Sequence, residues 1–412
     1  MSRAHETGGV VKAMPKILCV TSHNLDGPDY GGTLRGRNLF QLLERFGEVR
    51  VVLAGSHKFW NDDLKSSFGG FELAKAIHFQ PTPKYSIADR WRHEFDPRFL
   101  NTNWIQARTE DREWMQNLMA EHDLVWIHGL NAANGFGIWR WPNSVLDIDD
   151  IPSSFYRSNL AQTSGIVEKL RHRRQIFLWQ RHEQTLKERF DAICVCSDPD
   201  REKLGDLDQI FSVPNGFTAP KTNPIRQPSS PPKIGFVGTF KYAPNREGVQ
   251  WFVEHVWPLI LQKIPQARLQ LVGDESRKGN WQAHPNIDAL GWVADVENEM
   301  ATWALAIVPI FVGGGTRIKI VEAFSRKCPV VSTSLGAYGY DVADGCELLL
   351  ADSAGTFAAK CLRLLANADE GRTLAENAWQ KFLINWTWEA QTSRLTQVIG
   401  RVLKKSSNGN GH

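Results

Sequence analysis

Apolar residues fall in short unbroken runs separated by longer amphipathic stretches, and the alternation happens twice. In the first half the runs are 16–21 (KILCVT), 49–54, 123–128 (DLVWIH), 144–148, 191–196 and 210–213, with amphipathic stretches at 34–46, 109–122 and 166–189. Runs that are apolar at every position suit strands of a parallel sheet covered on both faces. Residues 214–232 carry Pro214, Pro220, Pro224, Pro228, Pro231 and Pro232, a density that excludes helix or central strand. The pattern then restarts with strands at 233–237, 268–272, 287–290, 304–310, 329–332 and 346–350. Helices are expected at 245–264, 295–303, 317–326, 354–366, 370–384 and 386–403. The reading is α/β, with two doubly wound, Rossmann-like domains whose strand ends face each other across a cleft. The expected boundaries are a disordered 1–14, a first domain 15–213, a linker 214–232 and a second domain 233–385. A terminal helix at 386–404 returns to the first domain and a disordered tail fills 405–412.

The stretch 304–333 carries the strongest chemical signal. A strand runs into Gly313-Gly314-Gly315, Thr316 is placed to cap a helix, and Arg317 and Lys319 occupy its first turn. That end of a helix is positive and favours Asp or Glu by ~0.3–1 kcal/mol. Cations there make sense if an anion, phosphate above all, binds the free backbone N–H groups beside them. The competing reading is a solvated helix, with Glu322 neutralising Lys319 and Arg326 at three and four residues' spacing. In the first half, the loop SHNLDGPDYGGTLRG holds Gly27, Gly31 and Gly32 at the carboxyl end of a strand. Arg35 and Arg37 repeat the cationic helix start. His128 ends another strand, where it could donate a hydrogen bond or move a proton. Asp147, Asp149 and Asp150 read as caps of the following segment rather than a metal site. Residues 84–100 mix aromatics with arginines; they form a surface insertion or a contact with a membrane or acceptor.

Composition narrows the class. With 412 residues, 42% hydrophobic and 23% charged, the chain is long enough for two cores. A formal charge of +3 without basic blocks argues against a nucleic-acid partner. Six cysteines without a C-x-x-C pair suggest buried free thiols, and no run is long enough to span a membrane. A cytoplasmic protein is expected, peripheral at the inner face of the membrane if residues 84–100 make that contact.

Several ordered motifs resemble those of GT-B glycosyltransferases of the family 4 type, the retaining group 1 class. They are Val213-Pro214-Asn215-Gly216, Gly235-Phe236-Val237-Gly238-Thr239, Leu271-Val272-Gly273-Asp274, residues 313–323, Pro329-Val330-Val331 and Trp386-Thr387-Trp388-Glu389. The resemblance implies a nucleotide-diphosphate sugar as co-substrate, with no metal or other cofactor. The acceptor would be a glycan, a lipid-linked sugar or a small molecule, in cell-surface glycan synthesis. It implies that Glu322 holds the ribose hydroxyls, and that Arg317 and Lys319 neutralise the diphosphate with the N–H groups of Gly315 and Thr316. His128 would stand near acceptor and transferred sugar, Gly31 and Gly32 near the phosphates, and Asn215, Gly238 and Thr239 along the donor. Three positions depart from the family. Gly314 stands where a second glutamate usually contacts the sugar, and Thr239 and Glu247 stand where an arginine and a lysine are usual. A subgroup with G-G-G-T-R-x-K-x-x-E has this form. A catalytically silent nucleotide-sugar-binding module and a nucleotide-sugar 2-epimerase are the alternatives. An NAD oxidoreductase is disfavoured, because Ile318 falls where G-x-G-x-x-G needs its last glycine.

Overall fold

The computed structural model describes residues 14–27, 31–56, 67–82, 86–100, 104–205 and 208–409; the expectations for 1–13 and 410–412 lie outside them. The first sheet has eight strands, in the order Ile210–Ser212, Ala192–Val195, Ser144–Ile148, Leu124–His128, Lys16–Thr21, Glu48–Gly55, Phe71–His78 and Ser67–Phe68. All neighbours are parallel except the last pair, an antiparallel hairpin. The second sheet has six parallel strands: Ile287–Gly291, Arg268–Val272, Lys233–Val237, Trp303–Val308, Val330–Ser332 and Leu349–Leu350. The strand Phe71–His78 escaped the sequence reading because Glu72, Lys75 and His78 break up its apolar residues, and all but two are only partly buried or exposed.

In each sheet the strand order reverses once, between Lys16–Thr21 and Leu124–His128 and between Lys233–Val237 and Trp303–Val308. The loops leaving those strands splay apart and open a crevice at their carboxyl ends, where doubly wound sheets bind ligands. Register sets Thr21 beside His128, and His128 beside Asp147, in a row along the edge of the first sheet.

Both faces of the first sheet are covered. Leu18 and Val20 point into one apolar cluster, Ile17 and Cys19 into the other. That second cluster includes Leu395, Val398, Ile399 and Val402 of the terminal helix Thr392–Gly409. Their spacing puts them on one stripe of that helix, so the last segment of the chain packs on the first lobe. It therefore crosses between lobes twice, and the crossings are paired: Phe217 N–H donates to the Trp386 carbonyl at 2.8 Å. The helix expected at 245–264 is interrupted. Ala243–Trp251 passes through a π turn at Phe252–Val256 into Trp257–Leu261, where Pro258 cannot donate a backbone hydrogen bond. All six cysteines are free, and Cys346 is the exposed one.

Candidate active site at the seam between the lobes

The loop 309–317 leaves the central strand of the second sheet and meets the first lobe directly. Gly313 N–H donates to Ser158 Oγ at 2.9 Å. Gly315 has φ +58°, and a Cβ there would lie 2.1 Å from Asp150 Oδ1, so only glycine fits. A Cβ on Gly314 would stand 3.4 Å from the Asp150 Cβ and Cγ. Gly31 opens the helix Gly31–Leu43, and a Cβ there would stand 3.7 Å from Ile318 Cδ1 across the seam. The two glycine turns thus meet where the strand ends of both sheets converge.

Arg317 occupies the N-cap position of the helix Ile318–Ser325, and no side chain caps that end. Thr316, expected as the cap, instead accepts a 3.0 Å hydrogen bond through Oγ1 from Asn215 Nδ2. The Arg317 guanidinium is buried. Its Nη1 donates to the Gly314 and Gly315 carbonyls, while Nε and Nη2 have no partner. Lys319 Nζ donates to Asn245 Oδ1 at 2.6 Å and lies 5.0 Å from the Phe236 ring centre. Burial, then the Arg317 charge, pushes its pKa down to about 7, against the opposing pull of Glu322. Asn245 Nδ2 in turn donates to the Thr239 carbonyl at 2.8 Å. Gly238 has φ +156°, and a Cβ there would come within 3.3 Å of Lys319 Nζ. Lys319 is thereby held against the Gly238-Thr239 turn, and Glu322 sits half-buried one turn further along.

On the first-lobe side, the cationic helix start is not a second anion site. Arg35 is fully buried and pairs with Asp147 through Nε at 3.0 and 3.1 Å and Nη2 at 2.5 Å. Arg37 donates to the carbonyls of Leu25 and Gly27. The three acids also do not cap the following helix, which begins at Pro152 after an Ile151 N-cap. Asp147 binds Arg35 and His128; burial opposes its charge, but the Arg35 charge and the two hydrogen bonds hold its pKa at about 2. Asp149 accepts from Asn215 Nδ2 at 3.0 Å. Asp150 is pushed up to about 7 by burial and by Asp149, with Arg317 pulling the other way.

His128 stands at its strand end as expected, but its ring is buried. Nδ1 is 2.8 Å from Asp147 Oδ2 and Nε2 is 2.9 Å from the Gly32 carbonyl. The histidine holds the first glycine turn rather than presenting a free nitrogen to the crevice. Asn215 links the whole array: Oδ1 accepts from Arg35 Nη1 at 3.0 Å and Nδ2 reaches Asp149 and Thr316. The structure thus brings Gly31, Gly32, His128, Asn215, Gly314, Gly315, Thr316 and Arg317 to one seam, with Lys319, Gly238, Thr239 and Glu322 on its second-lobe side. Sequence reading missed the functions of Arg35, Asp149 and Asp150. The run of acids directly after a buried strand was the available signal.

Residues 231–367 match the family described as glycosyl transferases group 1. That match falls almost wholly within the second lobe. Around it, the whole chain has the GT-B fold, as the similarity to solved glycosyltransferases shows. Sucrose-phosphate synthase from Thermosynechococcus elongatus superposes with a TM-score of 0.65 at 17% identity, over 95% of this chain and 100% of that one. HepE from Anabaena, solved with UDP and glucose, gives 0.61 at 15% identity over 94% and 99%. TarM from S. aureus, solved as a variant with UDP, fondaparinux and α-GlcNAc-glycerol, gives 0.63 at 11% identity over 94% and 100%. In sequence the chain is also similar to an uncharacterised 44.6 kDa protein in the cps region of Klebsiella pneumoniae, 20% identical over 254 residues. That alignment spans 58% of this chain and 63% of the Klebsiella protein's length. The matched segment contains the triple-glycine loop, Arg317, Lys319 and Glu322; the other lobe supplies the residues that meet them. No helix among the described residues is long and apolar enough to cross a membrane.

Proposed function

We propose that the chain is a retaining glycosyltransferase that moves a sugar from a nucleoside-diphosphate donor to an acceptor hydroxyl in the synthesis of a surface glycan. One observation carries the reading: the buried Arg317 guanidinium has two nitrogens without partners beside an uncapped helix N-terminus, next to a lysine whose charge is suppressed. Such a site is short of negative charge, and a pyrophosphate supplies it. In the reaction the anomeric carbon–oxygen bond breaks and the diphosphate leaves with the electron pair. Arg317, Lys319 and the helix N-terminus stabilise that charge as it develops. The acceptor oxygen attacks on the face being vacated, and its proton passes to a leaving phosphate oxygen, so no protein nucleophile is needed. Asp150 supports the sugar in the place left by Gly314. Closure of the lobes excludes water that would hydrolyse the donor.

The neighbours solved with UDP make uridine diphosphate the first donor base to try. In a thermal-shift titration, UDP and UDP-sugars should raise the melting temperature by mass action. Lys319→Ala should abolish the shift; an unchanged response in that variant would remove the phosphate assignment. Product analysis then separates a transferase, which labels an acceptor, from an epimerase and from a silent binding module.

Contact with a membrane face is part of the same reading. Ile87, Trp91 and Phe95 on one helix, and Ile166, Val167, Leu170 and Phe177 on its neighbour, are exposed beside Arg90, Arg92, Arg171 and Arg173. Apolar side chains framed by arginines suit an anionic lipid surface. Flotation with vesicles containing anionic lipid, but not with neutral ones, is the expected result.

A further inference from the structure

Away from the seam, the first lobe has a solvent-open cavity of about 220 Å³ between the helix Ile87–Phe95, the helix Pro152–Gln162 and the long helix Ile166–Gln184. Its walls include Trp104, Tyr156 and Trp179, with Gln175, Arg174 and His182 supplying polar atoms. The charge there is cancelled, since Arg174 is paired with Glu94. His182 is buried with Nδ1 lacking a hydrogen-bond partner. Burial, reinforced by Arg189, lowers its pKa to about 4, so the ring is neutral near pH 7 and Nδ1 is an acceptor lone pair awaiting a donor. Trp104 adopts φ +57°, a left-handed conformation that a bulky residue takes up only under constraint. That turn stacks its ring on His93, with centroids 5.1 Å apart and planes 20° apart.

Flat rings, one amide, one neutral acceptor and no net charge form a poor site for a phosphate and a suitable one for a polyhydroxylated ring. The C–H faces of a pyranose pack on aromatic rings while its hydroxyls serve Gln175 and His182. The position fits as well. Tyr156 lies on the helix whose Ser158 receives Gly313 N–H from the second lobe, so the cavity is about one helix diameter, ~10 Å, from the donor loop. We propose that this cavity is an acceptor subsite that binds one uncharged pyranose unit of the acceptor glycan at a distance from the hydroxyl that reacts. The proposal rests on the glycosyl-transfer reading for its role, and on its own residues for the binding.

The test is saturation-transfer NMR with the methyl α-glycosides of glucose, galactose, mannose and N-acetylglucosamine. At least one should receive saturation from the wild-type protein and continue to do so with excess UDP and in Lys319→Ala. The signal should be lost in Gln175→Ala and in Trp104→Gly, the second of which removes the ring while tolerating the left-handed backbone. Melting temperatures within a few degrees of wild type establish that both variants fold. Absence of transfer to all four glycosides, displacement by UDP, or a signal surviving both substitutions would overturn the subsite. A UDP thermal shift that persists alongside such a failure would leave the transferase reading standing and remove the subsite alone.

Discussion

Asn215 Nδ2 donates to Thr316 Oγ1 across the seam at 3.0 Å, tying the start of the proline-rich crossing to the loop at the donor site. The same amide satisfies the buried Arg35 and the half-buried Asp149, so its removal leaves two charged groups short of a partner. Asn215→Ala should cost about 1–3 kcal/mol in urea unfolding, whereas Thr316→Val, which leaves Arg35 and Asp149 with their amide partner, should cost about 0.5–1.5 kcal/mol. The opposite order would place the energetic weight of the array elsewhere.

The buried pair of Arg35 and Asp147 should behave asymmetrically. Breaking it from one side with Arg35→Met should destabilise by about 3–5 kcal/mol, because the carboxylate is left buried without its cation. Acid titration offers an independent check. Asp147 has a folded pKa near 2, below the ordinary carboxylate value of 3.8, so its contribution is complete above pH 4 and disappears as the pH falls through 2. Stability measured from pH 5 to pH 2 should fall less steeply in Asp147→Asn than in wild type.

Lys319 should make nucleotide binding depend on pH. With a pKa near 7 in the free protein it is largely protonated at pH 6 and largely neutral at pH 8.5. A bound diphosphate favours the charged form, so a proton is taken up on binding and affinity falls as the pH rises through 7. Calorimetry of UDP binding in two buffers of different ionisation enthalpy should report that uptake.

Asp150→Asn should separate donor binding from transfer. Its carboxyl lies against Gly314 and Gly315, beside the place assigned to the sugar. The UDP thermal shift should be retained while product formation drops at least ~10-fold.

His128→Ala should lower turnover through the first glycine turn, since both ring nitrogens are engaged, one with Asp147 and one with Gly32. A pH–rate profile that keeps its shape in His128→Gln while its height drops would fit an anchoring histidine. Loss of one limb of the profile would mark a proton-transferring one.

The two sheets were legible because their central strands carry unbroken apolar runs, as at 124–127 and 303–308. The triple glycine and the cations after it were legible too, because they contradict what a free helix start prefers. Pairings distant along the chain were not. Arg35 is separated from Asp147 by 112 residues, and an arginine on a helix start looks the same whether it meets water or a buried carboxylate. Asp150 was unreadable for a similar reason: its place opposite Gly315 depends on how one lobe is set against the other, which no local pattern encodes.

The paired crossings at Phe217 and Trp386 give the molecule a double-leaved joint. Two covalent strands bonded side by side can bend together but resist twisting, so opening should follow a single arc that draws the two glycine turns apart and returns them to the same alignment. A protease cut between residues 218 and 228 would then leave both halves associated, because the terminal helix remains anchored in the first lobe.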